Sequence, residues 1–109
     1  MIRVIKRNTA VTAIMDGEID HCSAGAYREK IEDAITDLSV RELRLDLSQV
    51  TFMDSSGVGM LIGRYRTMAQ RGGSVVAMGM NAQMERLFRF AGLHRIIAME
   101  KEKGETENE

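Results

Sequence analysis

The chain has 109 residues, 44% hydrophobic and 28% charged, with a single cysteine, Cys22. That length holds one domain able to bury a core, and the composition lies away from that of disordered chains. Fifteen basic against sixteen acidic residues leave a formal net charge of -1, which excludes a whole-molecule field that gathers nucleic acid or an anionic membrane, and one cysteine excludes an intrachain disulfide and points to a reducing, cytoplasmic setting.

Residues 2–6 and 10–15 are short β-type runs around Arg7, Asn8 and Thr9, the spacing of a hairpin with Asn8 in its turn. Arg3, Lys6 and Arg7 ahead of that second run copy the layout of a secretory signal, but the run is short, contains Thr12 and passes into Asp16, Glu18 and Asp20. No stretch approaches the apolar length of a membrane helix. Ser23 is placed to cap a helix in which Tyr27, Ile31, Ala34, Ile35 and Leu38 recur at helical spacing. Leu43, Leu45 and Leu47 then alternate with Arg44 and Asp46, as in a strand with one buried and one wetter face.

From Val58 the apolar positions Leu61, Ile62, Tyr65, Met68 and Ala69 form a second helical stripe that starts close to Ser55 and stops at Arg71, Gly72 and Gly73. Residues 74–80 read as a strand, and Asn81 as the cap of a short helix with Met84, Leu87, Phe88 and Ala91 inward, closed by Gly92. Residues 96–99 supply a last strand. The nine methionines serve mainly to fill the core. This order predicts an α/β fold: an N-terminal β-hairpin, then alternating helices and strands, with a mostly parallel central sheet. The polar alternation of residues 43–47 predicts helices mainly on one face. The expected domain spans residues 1–100, and residues 101–109 form a charged tail expected to be disordered.

The most informative stretch is DLSQVTFMDSSGVGMLIGRYR, residues 46–66, in which a strand delivers the chain to a polar elbow that opens the second helix. Loops at the carboxyl ends of parallel strands are where α/β domains place function. Free N–H groups and the helix dipole favour an anion there, so the fold itself would tolerate a phosphate on Ser55. Gly57 and Gly59 weaken the first turn by roughly 1 kcal/mol each relative to alanine; bare backbone at both positions would let a partner approach Ser55.

The residues Phe52, Met53, Asp54, Ser55, Ser56, Gly57 and Gly59, with Gly63, Arg64, Tyr65 and Arg66, are accompanied upstream by Gly17, Glu18, Ile19, Asp20 and His21 and downstream by Arg86, Leu87, Phe88, Gly92 and Leu93. In these the chain resembles the STAS domains, and most closely their single-domain bacterial members, the anti-sigma factor antagonists. The GRYR run and the GEIDH loop are similar to the sporulation branch more than to the general-stress branch. Val58 stands where the sporulation branch often has leucine, and Cys22 where a second histidine can occur.

The resemblance implies a non-enzymatic, cytoplasmic regulator without a cofactor. In its unphosphorylated form such a protein binds an anti-sigma factor that is also a serine kinase, and so releases a sporulation sigma factor. Phosphorylation of the first motif serine, here Ser55, ends that binding, and a serine phosphatase restores it. Asp20, Met53, Asp54, Ser56, Gly57, Val58 and Gly59 are the positions expected to meet the partner. A phosphate brings roughly -1.5 to -2 charges beside Asp54 and near Asp20.

Each of these residues also has a plainer reading. Ser55 and Asp54 suit the cap of a helix, and Asp20 suits a solvated surface carboxylate. His21 beside Cys22 lacks the spacing of a metal-ligand pair, and His94 belongs to no motif. A serine hydrolase would need the GxSxG elbow and a triad, whereas Ser55 lies in DSSG. Nucleotide binding by the chain itself lacks GxxxxGK[ST] and rests only on Gly57 and Gly59. A STAS module joined to a transporter or sensor would need an attached segment, which the sequence does not contain. The alternatives to a sporulation antagonist are thus a general-stress antagonist and, in a different class, a nucleotide-binding STAS protein.

Overall fold

Arg7 pairs directly with Ala10 across a two-residue turn, and Asn8 adopts the positive φ of 56° that such turns demand. The computed structural model describes residues 2–100, so the expected tail over residues 101–109 lies outside the described residues. The elements are β1 (Arg3–Arg7), β2 (Ala10–Ile19), α1 (Ala24–Ile35), β3 (Glu42–Met53), α2 (Ser55–Ala69), β4 (Ser74–Met78), α3 (Ala82–Phe90), a 3-10 turn (Leu93–Arg95) and β5 (Ala98–Glu100).

The strands lie in the sheet in sequence order, β1-β2-β3-β4-β5. β1 is antiparallel to β2, and the later neighbours are parallel. Because parallel crossovers are right-handed, a sheet that always advances in one direction collects its helices on one face. Accordingly, Val11, Ala13 and Met15 of β2, Leu43, Leu45 and Leu47 of β3, and Val75 and Ala77 of β4 share one core with buried residues of all three helices. The opposite face carries the partly exposed Arg44, whose Nη2 donates to Glu100 Oε1 at 2.6 Å and ties β5 to β3.

Several element ends differ from the sequence pattern. β2 continues past Met15 to Ile19, and β3 past Leu47 to Met53, with register shifts between Ile14 and Asp16 and between Gly17 and Glu18. These irregularities interrupt the period-2 alternation: β3 buries Leu47, Val50 and Met53 at a spacing of three. Tyr27 of α1 donates its hydroxyl to the Asp16 carbonyl at 2.8 Å and anchors the irregular segment. α1 stops at Ile35, leaving Leu38, expected on its apolar stripe, 71% exposed. The exit is set by Asp37, whose carboxylate accepts the Ser39 N–H at 2.9 Å, and by Arg71, whose Nη1 donates to the carbonyls of Ile35 at 2.7 Å and Asp37 at 3.2 Å. The last strand begins at Ala98 instead of residue 96, because the turn after Gly92 carries Leu93 and Ile97 into the core first.

α1 and α2 pack side by side through a charged seam. Arg64 is 8% exposed, and its Nε lies 2.9 Å from Glu32 Oε2. That contact is an ion pair without hydrogen-bond alignment, since Nε and Nη1 have no hydrogen-bond acceptor among the described residues. Thr67 Oγ1 donates to the same Glu32 oxygen at 3.0 Å. Burial lowers the pKa of Arg64.

Arg71→Ala removes a charged donor from the end of α1 and is expected to lower stability by about 1.5–3 kcal/mol. Urea unfolding measures this, with the exposed Arg66→Ala as a control expected to change stability by less than about 0.5 kcal/mol.

Candidate functional site

The parallel pair β2–β3 ends in register, with Ile19 opposite Met53 and the Asp54 N–H donating to the Ile19 carbonyl at 3.2 Å. Asp20 and Asp54 therefore leave the sheet from adjacent strands at the same end. α1 starts from this edge just after Asp20, and α2 starts immediately after Asp54. The positive ends of two helix dipoles thus share this surface with two carboxylates.

Both carboxylates hold backbone. Asp20 Oδ1 accepts the N–H groups of Cys22 at 3.0 Å and Ser23 at 3.1 Å. The Ser23 N–H is the first cause of the lowered Asp20 pKa. Ser23, expected to cap α1 through its side chain, makes no such bond. Its hydroxyl instead accepts the Asp20 N–H at 3.0 Å and donates to the Glu18 carbonyl at 2.9 Å. Asp54 is the N-cap of α2: its Oδ1 accepts from the Ser56 N–H at 2.8 Å and the Gly57 N–H at 3.2 Å. The start of α2 is therefore not the open anion site that the glycines and serines suggest from sequence.

Ser55 is the first residue of α2 and is exposed. Its hydroxyl makes no hydrogen bond among the described residues, so it is a free alcohol without the adjacent base of an activated nucleophile. Ser56 and Val58 are partly buried, and Val58 packs against the core. Gly59 is exposed, with open space where a side chain would stand.

Two residues expected to meet a partner lie beneath the surface. Met53 is 2% exposed. Gly57 is buried, and a Cβ there would collide with Met53 Cγ and stand 2.5 Å from the Ile19 carbonyl oxygen. The bare backbone of Gly57 admits the strand ends, not a partner, and α2 can rest on the Ile19–Met53 pair only because residue 57 lacks a side chain. Phe52, part of the motif but not among the positions expected to meet a partner, is 44% exposed at the end of β3, opposite Glu18. The interrupted alternation of the strand hides which way it points. Nor was Arg64 placed: within the GRYR run it faces Glu32 of α1.

Two surface clefts, of about 160 Å³ at Arg3, Ile14, Met15, Asp16 and Gln49 and about 170 Å³ at Ile2, Ser23, Ala26 and Tyr27, lie away from Ser55. His21 Nε2 lies 3.6 Å from Cys22 Sγ, and among the described residues no group of three or more ligand-type side chains is placed to hold a metal ion. Among the described residues, too, no helix is long and apolar enough to cross a membrane.

The geometry defines a one-sided α/β domain that presents an exposed serine at a capped helix start. The STAS domain matches residues 1–106, and the chain belongs to that family. It is 34% identical to the anti-sigma F factor antagonist of Paenibacillus polymyxa over 83 residues, 76% of this chain and 71% of that protein. It is 33% identical to the anti-sigma-B factor antagonist of Listeria monocytogenes over 108 residues, 95% of this chain and 91% of that protein. Among solved structures, the anti-sigma factor antagonist SpoIIAA in its unphosphorylated form superposes with a TM-score of 0.76 at 26% identity, covering 98% of this chain and 94% of that one. The Bacillus cell fate determinant SpoIIAA in its phosphorylated form gives 0.73 at 27% identity, covering 99% and 98%.

The glycines give a clean contrast. Gly57→Ala should destabilise the fold by about 2–3 kcal/mol through overpacking against backbone, whereas Gly59→Ala, in open space, should stabilise it by about 0.5–1 kcal/mol through helix propensity. Chemical denaturation of the two variants checks the pair.

Proposed function

We propose that this protein is an anti-sigma factor antagonist whose hold on an anti-sigma factor is ended by phosphorylation of Ser55. The observation that carries the reading is the exposed Ser55, with its hydroxyl free, at the Asp54-capped start of α2. The family, and relatives named antagonists of anti-sigma F and anti-sigma-B factors, support it. On this reading the unphosphorylated surface formed by Asp20, Asp54, Ser56, Val58 and Gly59 meets an anti-sigma factor that is also a serine kinase, with Met53 and Gly57 supporting it from below. A serine phosphatase regenerates the binding form. The regulator needs no cofactor, touches no nucleic acid or membrane, and works in the cytoplasm.

The chemistry of the switch is electrostatic. A phosphate adds roughly -1.5 to -2 charges next to the Asp54 carboxylate and adds bulk at an exposed position. An unpaired charge trapped in an interface weakens binding by several kcal/mol, and a swing from nearly all bound to nearly all free takes about 5 kcal/mol.

The GRYR and GEIDH runs favour a sporulation pathway. A general-stress pathway is the second reading, favoured by the alignment over 95% of the chain with the Listeria anti-sigma-B factor antagonist. Affinities for anti-sigma F and anti-sigma-B factors from the same cell separate the two.

With the cognate kinase and ATP, peptide mass spectrometry should find one phosphate, on Ser55. Ser55→Ala should abolish it and keep binding, while Ser55→Asp should bind the anti-sigma factor at least about 100-fold more weakly, near 3 kcal/mol. Modification at Ser56, or equal affinity of the wild type and the Asp variant, contradicts the reading.

A further inference from the structure

The start of α2 pulls a phosphate on Ser55 in two directions. Helix N-termini attract anions through their N–H groups and dipole, and a phosphate at such a position ordinarily folds back as a cap. Here two of those amides are taken. The Ser56 and Gly57 N–H groups donate to Asp54 Oδ1 at 2.8 and 3.2 Å, and the Val58 N–H donates to the Asp54 carbonyl at 3.0 Å. The group that fills the cap also carries a negative charge, one residue before Ser55.

We propose that Asp54 is the positioning residue of the switch: by occupying the amides of Ser56 and Gly57 it denies them to a phosphoryl group on Ser55, which is held outward as an exposed charge. This rests on Ser55 being the acceptor, as proposed above. A phosphate retracted onto the helix would be partly neutralised by amides and would offer a partner less charge. One held out by Asp54 meets the partner undiminished. The same side chain therefore builds the helix start in the unmodified protein and sets where the phosphate stands in the modified one.

Other ionisable groups at this end are Glu18 at the end of β2, Asp20, His21 and Cys22 of the β2–α1 loop, and Glu85 in the first turn of α3, while residues 79–81 of the β4–α3 loop bring none. They stay constant when only Asp54 is changed, so differences among Asp54 variants report Asp54.

The test places phosphoserine at position 55 during translation, so that no kinase is required. In the wild type, phosphorus NMR should show the second phosphate ionisation above its ordinary value of about 6, and phosphorylation should lower Tm. Asp54→Asn keeps a capping oxygen without the charge, and the ionisation should fall by about half a unit or more. Asp54→Ala opens the amides; the ionisation should fall further, below about 6, the Ser56 and Gly57 amide resonances should follow the phosphate titration, and phosphorylation should now raise Tm. If the Ala variant does not fold, Asp54→Gly gives the same arm, since glycine is tolerated at an N-cap and has no side-chain acceptor. A wild-type phosphate that titrates below about 6 and raises Tm overturns the proposal, as do Asn and Ala (or Gly) variants that behave alike. A cognate kinase that leaves Ser55 unmodified overturns the acceptor assignment alone, because these measurements do not use it.

Discussion

The close approach of Gly57 to the Ile19 carbonyl and the Met53 side chain governs the functional end of this molecule. β2 and β3 end together, Ile19 opposite Met53, and the first turn of α2 sits directly on that pair. A side chain at position 57 would press on the Ile19 carbonyl and on Met53, so that the start of α2, and Ser55 with it, could not keep this place on the sheet. The fold thus fixes the exposed serine through a contact that is itself entirely buried. Met53 belongs to the same support, which is why a residue at the centre of the most distinctive motif lies in the core.

Electrostatics at that end follow from topology. A sheet whose parallel strands advance in order must start each crossover helix at the carboxyl edge, so α1, α2 and α3 all begin there. Their unpaired amides would make the edge a strong anion trap. Asp54 and Asn81 answer this in part, accepting N–H groups in the first turns of α2 and α3, while Asp20 accepts those of Cys22 and Ser23 just before α1. The surface is left with part of its helix amides already bonded and with the Asp20 and Asp54 carboxylates, a background against which one added phosphate is a large change.

Elsewhere the structure is held so that this end need not be. Arg71 closes the end of α1 from the end of α2, and Arg44 ties β5 back across β4 to β3. Arg64 and Glu32 place charge inside the α1–α2 seam, an arrangement whose desolvation offsets much of its attraction.

Much of this was legible in the linear chain. The hairpin turn at Asn8, the helical stripes of α1 and α2, the Asn81 cap and the alternation of Leu43, Leu45 and Leu47 follow from local periodicity and turn chemistry, which depend on near neighbours. They were enough to determine a mostly parallel sheet with helices on one face and to place Ser55 at a helix start. Tertiary structure decided what depends on residues distant in sequence. The extra lengths of β2 and β3 exist because the strands pair with each other through bulges that erase the alternation by which strands are recognised. The burial of Met53 and Gly57, the exposure of Phe52 and Leu38, and the partnership of Arg64 with Glu32 came likewise from chain segments far apart. Sequence could name Ser55 and Asp54 as neighbours at a helix start; only the folded backbone, by aiming the Ser56 and Gly57 amides at Asp54, determined that the carboxylate fills the cap and leaves the Ser55 hydroxyl free.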